Sequence, residues 1–308
     1  RGTQDVKGEI SLITATLLRL KAEGFVPTRD LIIAFTGDEE TQMDTARELA
    51  TKYRALTDAE FALNGDGGGG SLDSSTGKPQ YYKVQGAEKS YASFTLTAHN
   101  PGGHSSQPRP DNAIYELADA LKALQGYSFP IMWNEWTLGS FKASAPVTPG
   151  ELGEAMAKFA AHPGDAGAAA ILAKTPAMIG RTRTTCVATL LTGGHADNAL
   201  PQSATATVNC RIFPGTSVAE VRDSLQQVVG DRIEVQVLGE PHSSPPSPLR
   251  DDVLEAVTKA VRASHPGVPI VPDMAPYATD GSIFRGAGIR TYGVRSLSMK
   301  KSDEFAHA

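Results

Sequence analysis

The segment LIIAFTGDEET, residues 31–41, joins a continuous apolar run directly to a cluster of acidic residues. The run Leu31–Phe35 is typical of a buried strand, and the Gly-Asp-Glu-Glu sequence ends it abruptly. Neighbouring carboxylates such as Asp38, Glu39 and Glu40 repel one another, which raises their pKa values unless a positive group lies among them. The cluster is therefore either a solvated strand end or a place that holds a cation.

The composition is that of an ordinary soluble globular protein. The 308 residues are 40% hydrophobic and 20% charged, which allows one large domain or two ordinary ones. A net charge of -5 and a pI of 5.8 give no reason to expect a nucleic-acid or membrane partner. The chain begins without Met, so we expect a piece of a longer protein, truncated at both ends. A cytoplasmic location is as compatible with the sequence as a periplasmic or secreted one.

The first 70 residues alternate between helix and strand patterns. Apolar residues at helical spacing (Ile10, Ile13, Leu17) precede the strand at residues 31–35, and residues 61–63 predict a further strand. Thr41 and Asp44 match a capping box for the next helix. Three loops should then meet at one edge of a parallel sheet, where α/β proteins bind ligands. These loops carry Asp5, the acidic cluster at residues 38–40, and Asp66.

From about Tyr81 the pattern changes to alternating strands and two amphipathic helices, near residues 111–125 and 217–229. This pattern predicts an α+β layer with an antiparallel sheet, into which we expect Met132–Arg181 to be inserted as helices. The helix and strand alternation returns after a Pro- and Ser-rich stretch at residues 238–252. We therefore predict a discontinuous α/β domain, residues 1–84 and 242–308, interrupted by an α+β domain of residues 85–241.

The two cysteines form neither a disulfide framework nor a thiolate metal motif. Cys186 and Cys210 flank a predicted two-stranded hairpin, which is compatible with a single bridge. We expect two buried thiols instead.

Four separated residues, Asp5, Glu40, Asp66 and His307, supply the carboxylate and imidazole groups that a divalent ion such as zinc, cobalt or manganese accepts. Glu39 is then left over. A general base must lie near such an ion without coordinating it, and an adjacent glutamate can point in a different direction. Without a metal, Asp5 would have a structural role as a helix cap, and Asp66 would be a turn residue.

Five motifs in order resemble those of one known family across essentially the whole chain: RGTQDVKG, FTGDEET, GGHSSQPRPDNAI, NALPQSATATVNCRIFPG and DEFAH. The chain resembles the dinuclear zinc aminoacylase/carboxypeptidase family of metallopeptidases, which includes glutamate carboxypeptidases, dipeptidases, aminoacylases and succinyl-diaminopimelate desuccinylase. The resemblance implies a zinc-peptidase catalytic domain with a mixed sheet flanked by helices, and an inserted lid or dimerisation domain.

The resemblance also implies roles for individual residues. Asp5 would bridge two divalent metal ions, Glu40 and His307 would complete one ion, and Asp66 would bind the other. Glu39 would be the general base and acid. His104 would approach the scissile carbonyl from the inserted domain, which in dimeric members belongs to the partner subunit. Asn198 and Arg211 would bind substrate, since a guanidinium forms a bidentate pair with a carboxylate.

The chain departs from this family in lacking the upstream His-x-Asp motif, so we expect one metal site to be incomplete. The predicted function is metal-dependent hydrolysis of a peptide or amide bond, of the exopeptidase, carboxypeptidase or dipeptidase type, in a small substrate with a free carboxylate. One alternative is an N-acyl-amino-acid amidohydrolase that uses the same residues. Another is an inactive scaffold with an incomplete metal site. In each case a homodimer through the inserted domain fits the family.

Overall fold

The computed structural model describes residues 5–303, and the chain divides into two units. Unit 1 contains the described residues 5–88, 133–172 and 244–303, and unit 2 contains residues 89–132 and 173–243. No helix within residues 5–303 has the length and apolar character needed to cross a membrane.

The strands are, in chain order, β1 (Phe61–Asn64), β2 (Gly69–Leu72), β3 (Pro79–Glu88), β4 (Ser90–His99), β5 (Gly103–His104), β6 (Thr185–Gly193), β7 (Ala199–Leu200), β8 (Ser203–Ile212), β9 (Ile233–Leu238), β10 (Ile270–Ala275), β11 (Arg290–Gly293) and β12 (Ser298–Lys300). The α-helices are α1 (Lys7–Ala22), α2 (Asp44–Ala50), α3 (Arg54–Thr57), α4 (Ala113–Gly126), α5 (Glu135–Ser144), α6 (Gly150–Ala161), α7 (Ala166–Ala173), α8 (Pro176–Ile179), α9 (Val218–Val229), α10 (Asp251–Ser264) and α11 (Asp280–Gly286).

Unit 1 is built on a mixed sheet with the order β1-β11-β3-β2-β12, and β10 also pairs with β3. The pairs β1/β11, β10/β3 and β12/β2 are parallel, whereas β3 is antiparallel to β11 and β2. Helix α1 is attached to this unit through Glu9, which is 4% exposed and accepts hydrogen bonds from the backbone N–H and hydroxyl of Ser296. The expected mixed sheet and the helix after Asp5 are confirmed.

The predicted strand at Leu31–Phe35 is wrong. These residues adopt no regular structure, and the side chains of Leu31 and Phe35 are 53% and 52% exposed. An apolar run becomes a strand only when a neighbouring strand satisfies its backbone N–H and C=O groups. Within residues 5–303 no strand pairs with this run.

The helical segment 133–172 groups with unit 1, whereas we expected it to belong to the inserted domain. The physical reason is the packing of α5 against β10 and β3. The indole of Trp136 is fully buried and donates a 2.7 Å hydrogen bond to the Ser247 carbonyl. Gly86 of β3 makes room for this ring, because a Cβ there would lie 1.8 Å from Trp136 Cζ2.

Unit 2 contains an antiparallel sheet with the order β6-β8-β4-β9, and a separate pair of short strands, β5 and β7. Helices α4 and α9 bury their apolar faces on one side of the larger sheet, with Leu117 and Leu225 fully enclosed. A capping box between Ser217 and Glu220 begins α9. The predicted α+β layer is confirmed, since both amphipathic helices and the period-2 strands are found where the patterns place them.

The two cysteines form a disulfide, so the expectation of two buried thiols is wrong. The antiparallel register of β6 and β8 places Cys186 directly opposite Cys210. Directly opposed residues of two antiparallel strands bring their side chains together on the same face of the sheet, which allows a bridge.

Candidate active site

Asp38 has a structural role at the start of α2. Its carboxylate accepts hydrogen bonds from the backbone N–H groups of Asp44 (2.7 Å) and Thr45 (3.1 Å), and also from the Thr45 hydroxyl. The Thr45 hydroxyl is the main reason that the pKa of Asp38 is lowered from its ordinary value. The predicted capping box between Thr41 and Asp44 is therefore wrong, because Asp38 supplies the cap from six residues upstream.

Glu39 has a strongly raised pKa within the acidic loop. Burial raises its pKa to about 8, and further contributions come, in falling order, from Asp66, Asp280, Glu40 and Asp5. Like charges act at this strength only when they are close together. Carboxylates from three other chain segments of unit 1, at Asp5, Asp66 and Asp280, and from the neighbouring Glu40 therefore lie within electrostatic range of Glu39.

Asp66 follows β1 and is held by its own turn, in which the Asn64 side-chain oxygen accepts a 2.9 Å hydrogen bond from the Asp66 N–H. Burial raises the pKa of Asp66 to about 7; Asp5 adds to the shift and Arg295 opposes it. The glycine run that follows is needed for packing. Gly68 has a φ of +73°, and a Cβ there would lie 2.4 Å from the carbonyl oxygen of Gly293.

Sequence reasoning missed Asp280. It is the first residue of α11, and its Oδ2 forms a short hydrogen bond with the Thr36 hydroxyl at the start of the acidic loop. Its Oδ1 is buried without a hydrogen-bond partner, and burial raises its pKa. The Thr-Asp-Gly sequence at the start of α11 was the available signal, since it places an acidic residue where the chain passes from a strand to a helix.

The chemistry of these donors fits a divalent cation. Carboxylate oxygens are suitable ligands for zinc, and a bound cation would oppose both the burial and the mutual repulsion that raise the pKa values of Glu39 and Asp66. Within residues 5–303, no three His, Cys, Asp or Glu side chains already converge in metal-binding geometry. His307, the predicted imidazole ligand, lies outside the described residues.

Unit 2 brings His104 and Asn198 together. The strands β5 and β7 pair His104 with Ala199, and the Asn198 carbonyl accepts a 3.0 Å hydrogen bond from the Ser105 N–H. The Nδ1 atom of His104 accepts from the Ser106 N–H at 3.1 Å. A neutral imidazole in this arrangement carries its proton on Nε2, which makes that edge of the ring a hydrogen-bond donor.

Arg211 lies eight residues beyond Ser203, towards the far end of β8 from the β5–β7 pair. Its guanidinium stacks 4.8 Å from the ring centre of Tyr91, and it lies directly opposite Thr185 in β6. Lys89 is 1% exposed and donates to the Thr185 hydroxyl at 3.1 Å. Among the described residues no carboxylate forms an ion pair with Arg211 or Lys89, so this corner of unit 2 carries uncompensated positive charge.

A mostly apolar cavity of about 580 Å³ also lies in unit 1, between α5 and α6. Its walls include Lys142, Pro146, Thr148 and Glu154 together with small residues of α6. None of the predicted site residues lines it.

Comparison with known proteins supports the family. Residues 86–235 match the model of the peptidase dimerisation domain. The human N-fatty-acyl-amino acid synthase/hydrolase PM20D1 is 26% identical over 302 residues, which cover 92% of this chain and 57% of that protein. A probable carboxypeptidase S-like 2 from Dictyostelium discoideum is 27% identical over 91% of this chain and 54% of its own length. The chain thus spans little more than half of these relatives.

Two solved structures share the fold. The dipeptidase Dug1p from Saccharomyces cerevisiae superposes with a TM-score of 0.60 at 13% identity, covering 100% of this chain and 67% of its own. The M20 family metallo-carboxypeptidase Sso-CP2 from Sulfolobus solfataricus superposes with a TM-score of 0.51 at 16% identity, over 82% of this chain and 67% of its own. The match to the dimerisation domain and the likeness to these relatives make the chain similar to the M20 metallopeptidases. Metallopeptidases of this family generally use divalent metal ions, typically zinc.

Proposed function

We propose that this chain carries the machinery for metal-dependent hydrolysis of an amide bond in a small substrate with a free carboxylate. The proposal depends above all on Glu39 and Asp66, whose pKa values are raised first by burial and then by carboxylates from separate segments of unit 1. Carboxylates crowded in this way are stabilised either by protonation or by a cation that offsets their charge. Perturbed pKa values of this size are also typical of functional sites.

Asp5, Glu40 and Asp66 would hold two divalent ions, with His307 as a further ligand. When bound, such ions lower the pKa of water and polarise a carbonyl oxygen. Glu39 takes a proton from the attacking water and later gives it to the leaving nitrogen as the C–N bond breaks. Its partly buried carboxylate favours the protonated form, which suits the second of these steps.

The substrate side of the reaction falls to residues of unit 2. The Nε2–H of His104 would donate a hydrogen bond to the oxyanion of the tetrahedral intermediate. Arg211, which lacks an ion-pair partner among the described residues, would bind the free carboxylate of the substrate in a bidentate pair. The side-chain amide of Asn198 would add a polar contact beside His104.

The positions of these residues within unit 2 support a homodimer. Ser203 and Arg211 are eight residues apart on an extended strand, which corresponds to about 27 Å. Because His104 and Asn198 lie beyond Ser203, one small substrate cannot touch both these residues and Arg211 of the same unit. We propose that a second copy of the chain supplies His104 and Asn198. The match to a dimerisation domain supports this arrangement.

Two substrate classes fit the same residues: peptides with a free carboxylate, and N-acyl amino acids. The second class is favoured by the likeness to PM20D1, which is named for N-fatty-acyl amino acids. The test is a hydrolysis panel of dipeptides and of N-acetyl, N-succinyl and N-fatty-acyl amino acids, with zinc-loaded protein and with a Glu39→Gln variant.

We expect turnover of at least one class by the wild type, and loss of turnover in Glu39→Gln with unchanged zinc content by elemental analysis. Turnover that survives in a metal-free wild type, or in zinc-loaded Glu39→Gln, would refute the mechanism. A folded wild-type protein that binds no zinc and hydrolyses nothing would instead favour the scaffold alternative.

A further inference from the structure

A buried ion pair lies behind the carboxylate cluster of unit 1. Glu88 is fully buried and Arg285 is 4% exposed, and Arg285 Nη2 lies 2.5 Å from Glu88 Oε1. Arg285 also donates to the Thr291 carbonyl at 3.1 Å and to the Ser244 hydroxyl at 3.2 Å. Burying two charges carries a large desolvation penalty, and apolar residues of similar volume often serve stability as well. The pair therefore calls for an explanation beyond stability.

Thr279 connects this ion pair to the candidate site. Its hydroxyl donates to Glu88 Oε2 at 3.0 Å, and it accepts from the Asn64 side-chain amide at 3.0 Å and from the Gly281 N–H at 3.1 Å. A hydroxyl has one proton and two lone pairs, so these three bonds use its full capacity. Glu88 Oε2 also accepts from Gln85 at 2.7 Å, which fixes the carboxylate in turn.

One branch of this network reaches Asp66. The Asn64 amide donates to Thr279 through Nδ2 while its Oδ1 accepts from the Asp66 N–H at 2.9 Å. Rotation of the amide would break both bonds, so its orientation is determined. The turn that carries Asp66 is thereby held by the hydroxyl of Thr279.

A second branch reaches the acidic loop. Thr279 is the N-cap of α11, and Asp280 is the next residue. The Oδ2 of Asp280 accepts a short hydrogen bond from the Thr36 hydroxyl, and Thr36 begins the loop that carries Glu39 and Glu40. The position of Thr279 therefore influences two of the segments that carry proposed metal ligands, those of Asp66 and Glu40.

We propose that Glu88, Arg285 and Thr279 are positioning residues of the candidate active site: they touch no substrate but hold Asp66 and the Glu39–Glu40 loop in register. The inference rests on the proposed function. Removal of groups that orient metal ligands without touching the metal typically lowers metal affinity by about 10- to 100-fold. A purely structural hydroxyl would leave that affinity unchanged.

The test compares Thr279→Val with Thr279→Ser. Valine keeps the shape and removes all three hydrogen bonds, whereas serine keeps the hydroxyl. Thr137→Val is the matched control, because Thr137 is also in unit 1, is 1% exposed and bonds to Asn134 away from the site. Zinc affinity is measured by competition with a chromophoric chelator, the cobalt(II)-loaded proteins are compared by visible absorption, and unfolding of the metal-free proteins is followed by circular dichroism.

We expect Thr279→Val to lose about tenfold or more in zinc affinity and to change the cobalt spectrum. Thr279→Ser and Thr137→Val should match the wild type in both measurements. Should Thr279→Val fail to fold, Asn64→Leu removes the Asp66 branch alone and should also weaken zinc binding. Wild-type affinity in a folded Thr279→Val or Asn64→Leu protein would overturn the inference. A wild-type protein that binds no zinc would overturn the proposed function itself, and the inference with it.

Discussion

At the scale of single residues, Lys89 has an environment that should make the stability of unit 2 depend on pH. Burial, followed by the nearby charge of Arg211, lowers the pKa of Lys89 to about 7. The unfolded chain keeps this proton up to about pH 10.5. Between these values the unfolded state binds more protons than the folded state, so the free energy of unfolding rises with pH.

We therefore expect the difference in free energy of unfolding between wild type and Lys89→Met to change with pH. From pH 7.5 to 9.5 the wild type should gain about 1 kcal/mol per pH unit relative to Lys89→Met. Urea denaturation at several pH values measures this difference. Lys122→Met, at an exposed position of α4, is the control, and its curve should run parallel to that of the wild type. Parallel curves for Lys89→Met would contradict the prediction.

The acidic loop shows what residue patterns can and cannot predict. The sequence indicated that Asp38, Glu39 and Glu40 form a special cluster, but it did not distinguish them. Asp38 accepts hydrogen bonds from Thr45 at the start of α2, whereas the pKa of Glu39 is raised by burial and then by Asp66 and Asp280. Contacts of that kind depend on segments more than 20 and 200 residues away, which no local pattern encodes. Asp280 was missed for the same reason.

At the scale of secondary-structure elements, the pairing of β6 with β8 leads to a prediction about the disulfide. Cys186 and Cys210 are 24 residues apart, and a cross-link closing a loop of this size stabilises a fold by about 3 kcal/mol. We expect the double variant Cys186→Ala/Cys210→Ala to lose about this free energy of unfolding in urea denaturation. Wild type treated with reductant should lose a similar amount. Two free thiols in unreduced, denatured protein would contradict the pairing.

Helices and strands were predicted well where the local spacing of apolar residues also determines which side chains are buried. The helices α4 and α9 have apolar residues at helical spacing, and that face packs on the sheet of unit 2. The prediction of a strand at Leu31–Phe35 was wrong because a strand needs a neighbouring strand to pair with, and the sequence of the run does not specify one. The segment 133–172 was correctly predicted as helical. Its grouping with unit 1 depends on Trp136 packing against Gly86 of β3, which lies 50 positions earlier in the sequence.

At the scale of the whole molecule, the exposed edge of the unit 2 sheet leads to a prediction about assembly. Strand β6 is at the end of the sheet, and its side chains Val187, Leu190 and Leu191 are 60%, 67% and 66% exposed. A long apolar edge strand is a template for pairing with another chain. We expect Leu190→Lys to convert a dimer to a monomer in sedimentation experiments. Leu238→Lys, on the opposite edge strand β9, is the matched control and should leave the dimer intact.

The same interface predicts that two inactive variants rescue each other. A Glu39→Gln homodimer lacks the base in both sites, and a His104→Ala homodimer lacks the oxyanion donor in both. If the partner copy supplies His104, a mixed dimer contains one site with both residues present. Activity should therefore reappear when the two proteins are unfolded together and refolded. It should stay absent when both also carry Leu190→Lys, because the monomers cannot exchange His104. Absence of rescue in a mixture shown to contain heterodimers would mean that His104 acts within its own chain or not at all.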